Sequence, residues 1–174
     1  MLVPWEVLCE DNEESRNLLE KLIEVAAADP LIMDEVIRGI LNENVCIRAQ
    51  AASMVEKITR VRPLFLMPYR RVLLNDFSAI EQPEVRCQVA LFYGRVFWDE
   101  WEMQQVTDLL SKWIAQEDEN ISINSMQSLH ILGTQKKWIR PHLLELLHKA
   151  MQHKSLVVRD VAAKLLDSMQ ELGN

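Results

Sequence analysis

Three times along this chain a proline is followed 18 residues later by an arginine: Pro30 and Arg48, Pro68 and Arg86, Pro141 and Arg159. A proline suits the first turn of a helix, where its missing N–H has no partner to lose. The arginine in each case opens a second stretch of helical periodicity. Pro141 to Met169 is the clearest example, an apolar helix from Pro141 to Met151, a polar break at Gln152 to Ser155, and a second helix from Leu156. Self-similarity at a fixed spacing confines such a chain to a tandem array of helix pairs, none of which can bury its apolar face alone.

The rest of the chain fits that frame. Leu2 to Glu10 and Glu14 to Ala28, parted by Asp11-Asn12-Glu13, read as a short, acidic first hairpin of the kind that caps a stack. The first full repeat follows from Pro30 to Arg60, with Asp29 as N-cap, Leu31, Val36, Ile37, Ile40 and Leu41 on the inner face, and Asn42-Glu43-Asn44 as the turn. In the second repeat Pro63 and Pro68 cannot share one regular helix, so an irregular lead-in or a kink precedes a helix over Tyr69 to Phe77. Pro83 then starts a helix carrying Glu84 to Trp98. The third repeat keeps the spacing without the residues, Gln104 standing 18 before Ser122, with helices over Glu100 to Gln116 and Ile121 to Leu132 and a stop at Gly133. The predicted units are residues 1–29, 30–60, 61–98, 99–135 and 136–174, and the column occupied by residues 48, 86, 122 and 159 repeats after 38, 36 and 37 residues.

Superposed, the second helices read Ile47-Arg48…Ala51-Ala52…Val55, Val85-Arg86…Val89-Ala90…Tyr93, Ile121-Ser122…Ser125-Met126…Leu129 and Val158-Arg159…Ala162-Ala163…Leu166. This pattern resembles the HEAT-repeat family, with its V-R-x-x-A-A-x-x-L second helix and proline-started first helix, over residues 30 to 171. The resemblance implies an all-α, armadillo-like α-solenoid of stacked antiparallel hairpins in a right-handed superhelix, a fold that serves many non-enzymatic scaffolds and adaptors. It also implies a ladder of arginines bonded to turn acids of neighbouring repeats. Here the turn positions hold Asn44, Pro83, Asp118 to Asn120 and Ser155, so the ladder should be partial and broken at Ser122.

Other chemistry finds little footing. The chain has no G-x-S-x-G, G-x-x-x-x-G-K-[ST], G-x-G-x-x-G or H-E-x-x-H, and its four histidines, His130, His142, His148 and His153, contain no i, i+4 pair. Neither catalytic residues nor a cofactor or metal is therefore expected, and the histidines read as surface or helix-end residues. Cys9, Cys46 and Cys87 form no C-x-x-C and fall in separate predicted helices, which suggests thiols in a reducing, cytoplasmic setting. No signal peptide precedes Glu6, and no apolar run reaches a membrane span. The net charge of −7 is blocky: −8 over residues 1–43, +4 over 44–80, −6 over 81–119 and +3 over 120–174. Lacking a continuous basic stripe, the chain is a poor nucleic-acid binder. The runner-up function, a HEAT-like DNA-binding or alkylpurine-glycosylase protein, would recruit Trp98, Asp99 and Trp101. The pair Trp98 and Trp101 reads first as a packed corner between repeats, and Trp5, Trp113 and Trp138 as core.

A binding face follows from helix geometry. With Ile47, Ala51, Val55 and Ile58 buried, positions one, five, eight, nine and twelve after the arginine column point outward. In the first and last repeats these hold Ala49, Ser53, Glu56, Lys57 and Arg60, then Asp160, Lys164, Asp167, Ser168 and Glu171, an ordinary solvated face. The middle repeats place Cys87, Leu91, Gly94, Arg95 and Trp98, then Ile123, Gln127, His130, Ile131 and Thr134 there. Leu91, Arg95, Trp98, Ile123, Gln127, His130 and Ile131 are thus the predicted partner-binding residues. They would form a concave groove for an apolar segment of a partner protein or a second copy.

Overall fold

In the computed structural model, residues 3–10 and 12–171 are described, and among them there is no strand. The termini of the predicted first and last units, Leu2 and Asp11 of the first hairpin included, lie outside the described residues. The helices are α1 (Trp5–Leu8), α2 (Glu13–Ala26), α3 (Pro30–Gly39), α4 (Val45–Val61), α5 (Arg70–Asn75), α6 (Pro83–Tyr93), α7 (Glu100–Ile114), α8 (Glu119–Gln135), α9 (Arg140–Ala150) and α10 (Leu156–Glu171). Turns of 3-10 helix at Pro63–Tyr69, Phe77–Ala79 and Lys137–Ile139 complete the order. The stretch around Pro63 and Pro68 is the irregular lead-in expected of two prolines, and α5 is correspondingly shorter than the helix predicted over Tyr69 to Phe77.

Helix starts are written locally. Asn12 and Asp99 each head a reciprocal capping box, with Ser15 and Glu102 as the answering side chains. Asp29 accepts from the Leu31 N–H ahead of Pro30, Asn44 caps α4, and Asp118 caps α8. Two predicted helix ends were misplaced. Gly133 lies inside α8 instead of stopping it, and its missing side chain makes room for Leu143, whose nearest carbon is 3.2 Å from the position of a Cβ. The helix that starts at Pro83 ends at Tyr93, five residues short of the predicted Trp98.

Two compact units divide the chain at Val89 and Ala90, within α6. In the first, α3 packs along α4, and α2 lies against both. Its core comprises Leu22, Ile32, Met33, Val36, Ile37, Ile40, Ala51, Ala52, Val55, Ile58, Leu66 and Leu73. Leu31 and Leu41, predicted for the inner face, are 75% and 46% exposed: they flank the buried i, i+4 stripe at the two ends of α3 instead of lying on it. In the second unit, α7 packs along α8 and α9 along α10, while α8 also contacts α9 and α10. Met103, Val106, Leu110, Trp113, Ile121, Met126, Leu129, Leu143, Leu147, Val158 and Ala162 are buried there. Trp138 is 44% exposed and Trp5 half-buried, so of the three tryptophans assigned to the core only Trp113 is fully enclosed.

The arginine column works differently from the expected ladder. Arg48 donates to the carbonyls of Asn42 and Glu43, Arg86 to Ile80, and Arg159 to His153 and Lys154. Each guanidinium thus ties down carbonyls just before its own helix. Arg48 also reaches the neighbouring turn, through the Gln82 amide oxygen at 2.7 Å, not through an acid. Nor is Ser122 a gap, since its hydroxyl donates to the Ile114 carbonyl at 2.9 Å and serves the same end with a shorter reach.

Candidate partner-binding face

The predicted face depends on where α6 ends and α8 begins. Gly94 and Ser128 permit a close crossing, where the Ser128 hydroxyl donates to the Ala90 carbonyl at 2.6 Å and a Cβ on Gly94 would stand 2.9 Å from Ser128 Oγ. Beside that crossing, Leu91 is half-buried on the last turn of α6. Along α8, Ile123 is half-buried, Gln127 exposed, His130 half-buried and Ile131 41% exposed. His130 Nε2 lies 3.2 Å from Ser168 Oγ on α10, and desolvation pulls its pKa below the usual imidazole value.

Trp98 does not belong to this face. Because α6 ends at Tyr93, extrapolating 100° per residue past that point misplaces everything after it. Arg95 sits in the following turn, half-buried, and Trp98 folds back to donate its indole N–H to the Tyr93 carbonyl at 2.8 Å. The Trp98 ring lies 5.9 Å from that of Tyr93, which in turn meets Trp113 edge-on at 5.8 Å. Trp98 is only 7% exposed, and Tyr93 is so enclosed that desolvation pushes its hydroxyl pKa well upward. The packed-corner expectation therefore holds for Trp98, and it fails for Trp101, which is 73% exposed. A stacking pair of Trp98 and Trp101 for a flipped base has no support in this geometry.

Elsewhere the columns behave unevenly. Lys57 and Arg60 on α4 are exposed, but Glu56, predicted to be solvated, is 5% exposed and held by Arg60 through two bonds of 3.1 and 2.6 Å. That pairing holds the Arg60 pKa above its ordinary value. On α10, Asp160, Lys164, Asp167 and Glu171 are exposed as expected.

Two features escaped the sequence reading. Leu64, Trp101 and Trp138 recur every 37 residues and are 61%, 73% and 44% exposed, a spacing visible in the chain although Trp101 reads as a corner residue and Trp138 as core. The second is covalent. Cys9 and Cys46 form a disulfide, which overturns the expectation of three separate thiols; Cys9 is moreover the C-cap of α1 and not a residue within a helix. They stand 37 residues apart, and the packing of α1 against α4 brings them together where a search for C-x-x-C could not. No group of three or more His, Cys, Asp or Glu suited to a metal occurs among the described residues, and none of their helices is long and apolar enough to cross a membrane.

No protein-family model and no curated protein matches the chain. Among solved structures it is similar to the crystal structure of an engineered protein from the Northeast Structural Genomics Consortium, with 13% identity and a TM-score of 0.47 over 95% of this chain and 96% of that one. A likeness of that size carries no argument here.

Proposed function

We propose that the chain is a non-enzymatic protein-binding scaffold or adaptor, a HEAT-like right-handed α-solenoid that receives an apolar segment of a partner on the face of its second helices. The observation that carries this reading is the contrast between equivalent columns. Where α4 and α10 present Lys57, Arg60, Asp160, Lys164 and Asp167, the end of α6 and the outside of α8 present Leu91, Ile123 and Ile131, partly exposed and interspersed with Gln127 and His130. An apolar strip rimmed by polar side chains is the usual form of a helix- or peptide-binding surface. Hydrogen bonds across one repeat period, such as Gln82 Nε2 to the Val45 carbonyl and Ser128 to Ala90, support the repeat-stacking part of the proposal. A cytoplasmic setting belongs to the same proposal and would leave the cysteine pair in exchange with cellular thiols.

The test is the double substitution Leu91→Asp and Ile123→Asp. It should abolish partner capture, or self-association, while circular dichroism and melting stay close to the parent. Unfolding of the double mutant would place these side chains in the core and remove the site. DNA affinity that falls steeply with salt would transfer the assignment to a nucleic-acid function, whereas absence of DNA binding at low salt removes that alternative.

A further inference from the structure

We propose that the Cys9–Cys46 bond is a thiol-exchange site, opened by a low-molecular-weight thiol through the cleft beside Cys9, and that its state decides whether the N-terminal segment stays docked. α1 is a four-residue helix, too short to persist by itself, and Cys9 is its C-cap. It is kept in place by the buried side chains of Val3 and Leu8, by a bond of 2.7 Å from the Val3 N–H to Glu35, and by the Trp5 indole seated against Gly39. The disulfide adds the covalent hold, joining α1 to the first turn of α4 with a Cα–Cα distance of 5.8 Å.

Access and leaving-group chemistry point to the same sulfur. A solvent-open cleft of about 150 Å³ is lined by Leu8, Cys9, Glu10, Ser15, Arg16, Leu19 and Gln50. Cys9 is among the residues lining it and Cys46 is not, so the cleft opens on the Cys9 side of the bond. Cys46 is the second residue of a 17-residue helix, its own N–H held by Asn44 at 2.8 Å. The helix N-terminus stabilises a thiolate there and makes Cys46 the better leaving group. In the first step the thiolate RS⁻ bonds to Cys9 Sγ, the Cys9–Cys46 bond breaks, and its electron pair leaves on Cys46. A second RS⁻ then attacks the R sulfur of the mixed disulfide and releases the Cys9 thiolate together with RSSR. The protein disulfide gains two electrons, two thiols lose them, and both cysteines take up protons from water.

The experiment equilibrates the full chain in buffers of reduced and oxidised glutathione, blocks thiols by alkylation, and follows labels and amide hydrogen exchange by mass spectrometry. Cys87, which forms no disulfide, should be labelled in every buffer and serves as the internal reference. Labels on Cys9 and Cys46 should appear together as the buffer becomes reducing, and exchange over residues 3–26 should then quicken several-fold while residues 100–171 stay unchanged. In Cys46→Ser, oxidised glutathione should leave a mixed disulfide on Cys9. Labelling of both cysteines in the oxidising buffers, a bond that resists reducing buffers in the folded protein, or reduction without a change in exchange would each overturn the proposal.

Discussion

Helices α4 and α8 are the same length, 17 residues, begin with an Asn or Asp cap, and occupy the second place in their respective pairs. Their inner columns are interchangeable in kind: Ala51, Ala52, Val55 and Ile58 in one, Ser125, Met126, Leu129 and Leu132 in the other, all buried. Their outer columns are not. α4 carries Glu56 locked to Arg60 with Lys57 exposed beside them, while α8 carries Ile123, Gln127, His130 and Ile131. The inner columns and the tie to the preceding carbonyls are what packing demands of any such helix. The outer columns are left free to differ, and the proposed binding face lies there.

The comparison breaks first at the inner columns. Ala52 has no exposed surface, so Ala52→Leu should overpack the contact of α4 with its neighbours and cost about 1–3 kcal/mol, read as a lowered melting temperature. The corresponding Ala163 of α10 is only half-buried, and Ala163→Leu should cost clearly less. Equal melting of the two variants would show that the difference in burial between the two positions does not set the cost.

A somewhat smaller effect separates the two forms of the turn tie. Ser122→Ala strands the Ile114 carbonyl in a buried site and should cost about 1–2 kcal/mol in urea unfolding. Arg48→Ala frees the carbonyls of Asn42 and Glu43 at an exposed turn, where water replaces the guanidinium, and should cost under about 1 kcal/mol. The reverse order would mean that the guanidinium contributes more than a capping function.

On the outer columns, Ile131→Glu should leave unfolding within about 0.5 kcal/mol of the parent, since the side chain is 41% exposed, yet weaken partner capture or self-association. The smallest effect expected is in pH dependence. Burial lowers the His130 pKa in the folded state, so the unfolded chain binds the proton more readily and stability falls as pH drops through and below the ordinary imidazole range near 6.5. His130→Gln should remove that slope from melting curves recorded between about pH 7.5 and 5.5, a range chosen to bracket the ordinary value. α4 has no histidine to reproduce it.

Much of this was legible in the chain. The caps at Asp29, Asn44 and Asp118, the irregular stretch between Pro63 and Pro68, and the burial of Ala51, Val89, Met126 and Ala162 follow from hydrogen bonds and periodicities that act within a few residues. Such interactions are local, and a sequence states them directly. Three things depended on groups distant in sequence. The end of α6 at Tyr93 decided that Trp98 is a packing residue and not a binding one, because past the last helical turn a side chain's direction is set by what it can pack against. The enclosure of Glu56 and the exposure of Trp138 were settled by which neighbouring element covers each position, and helical phase is silent on that. The Cys9–Cys46 bond needed the end of α1 to meet the start of α4, since a disulfide requires proximity in space that sequence spacing alone does not provide.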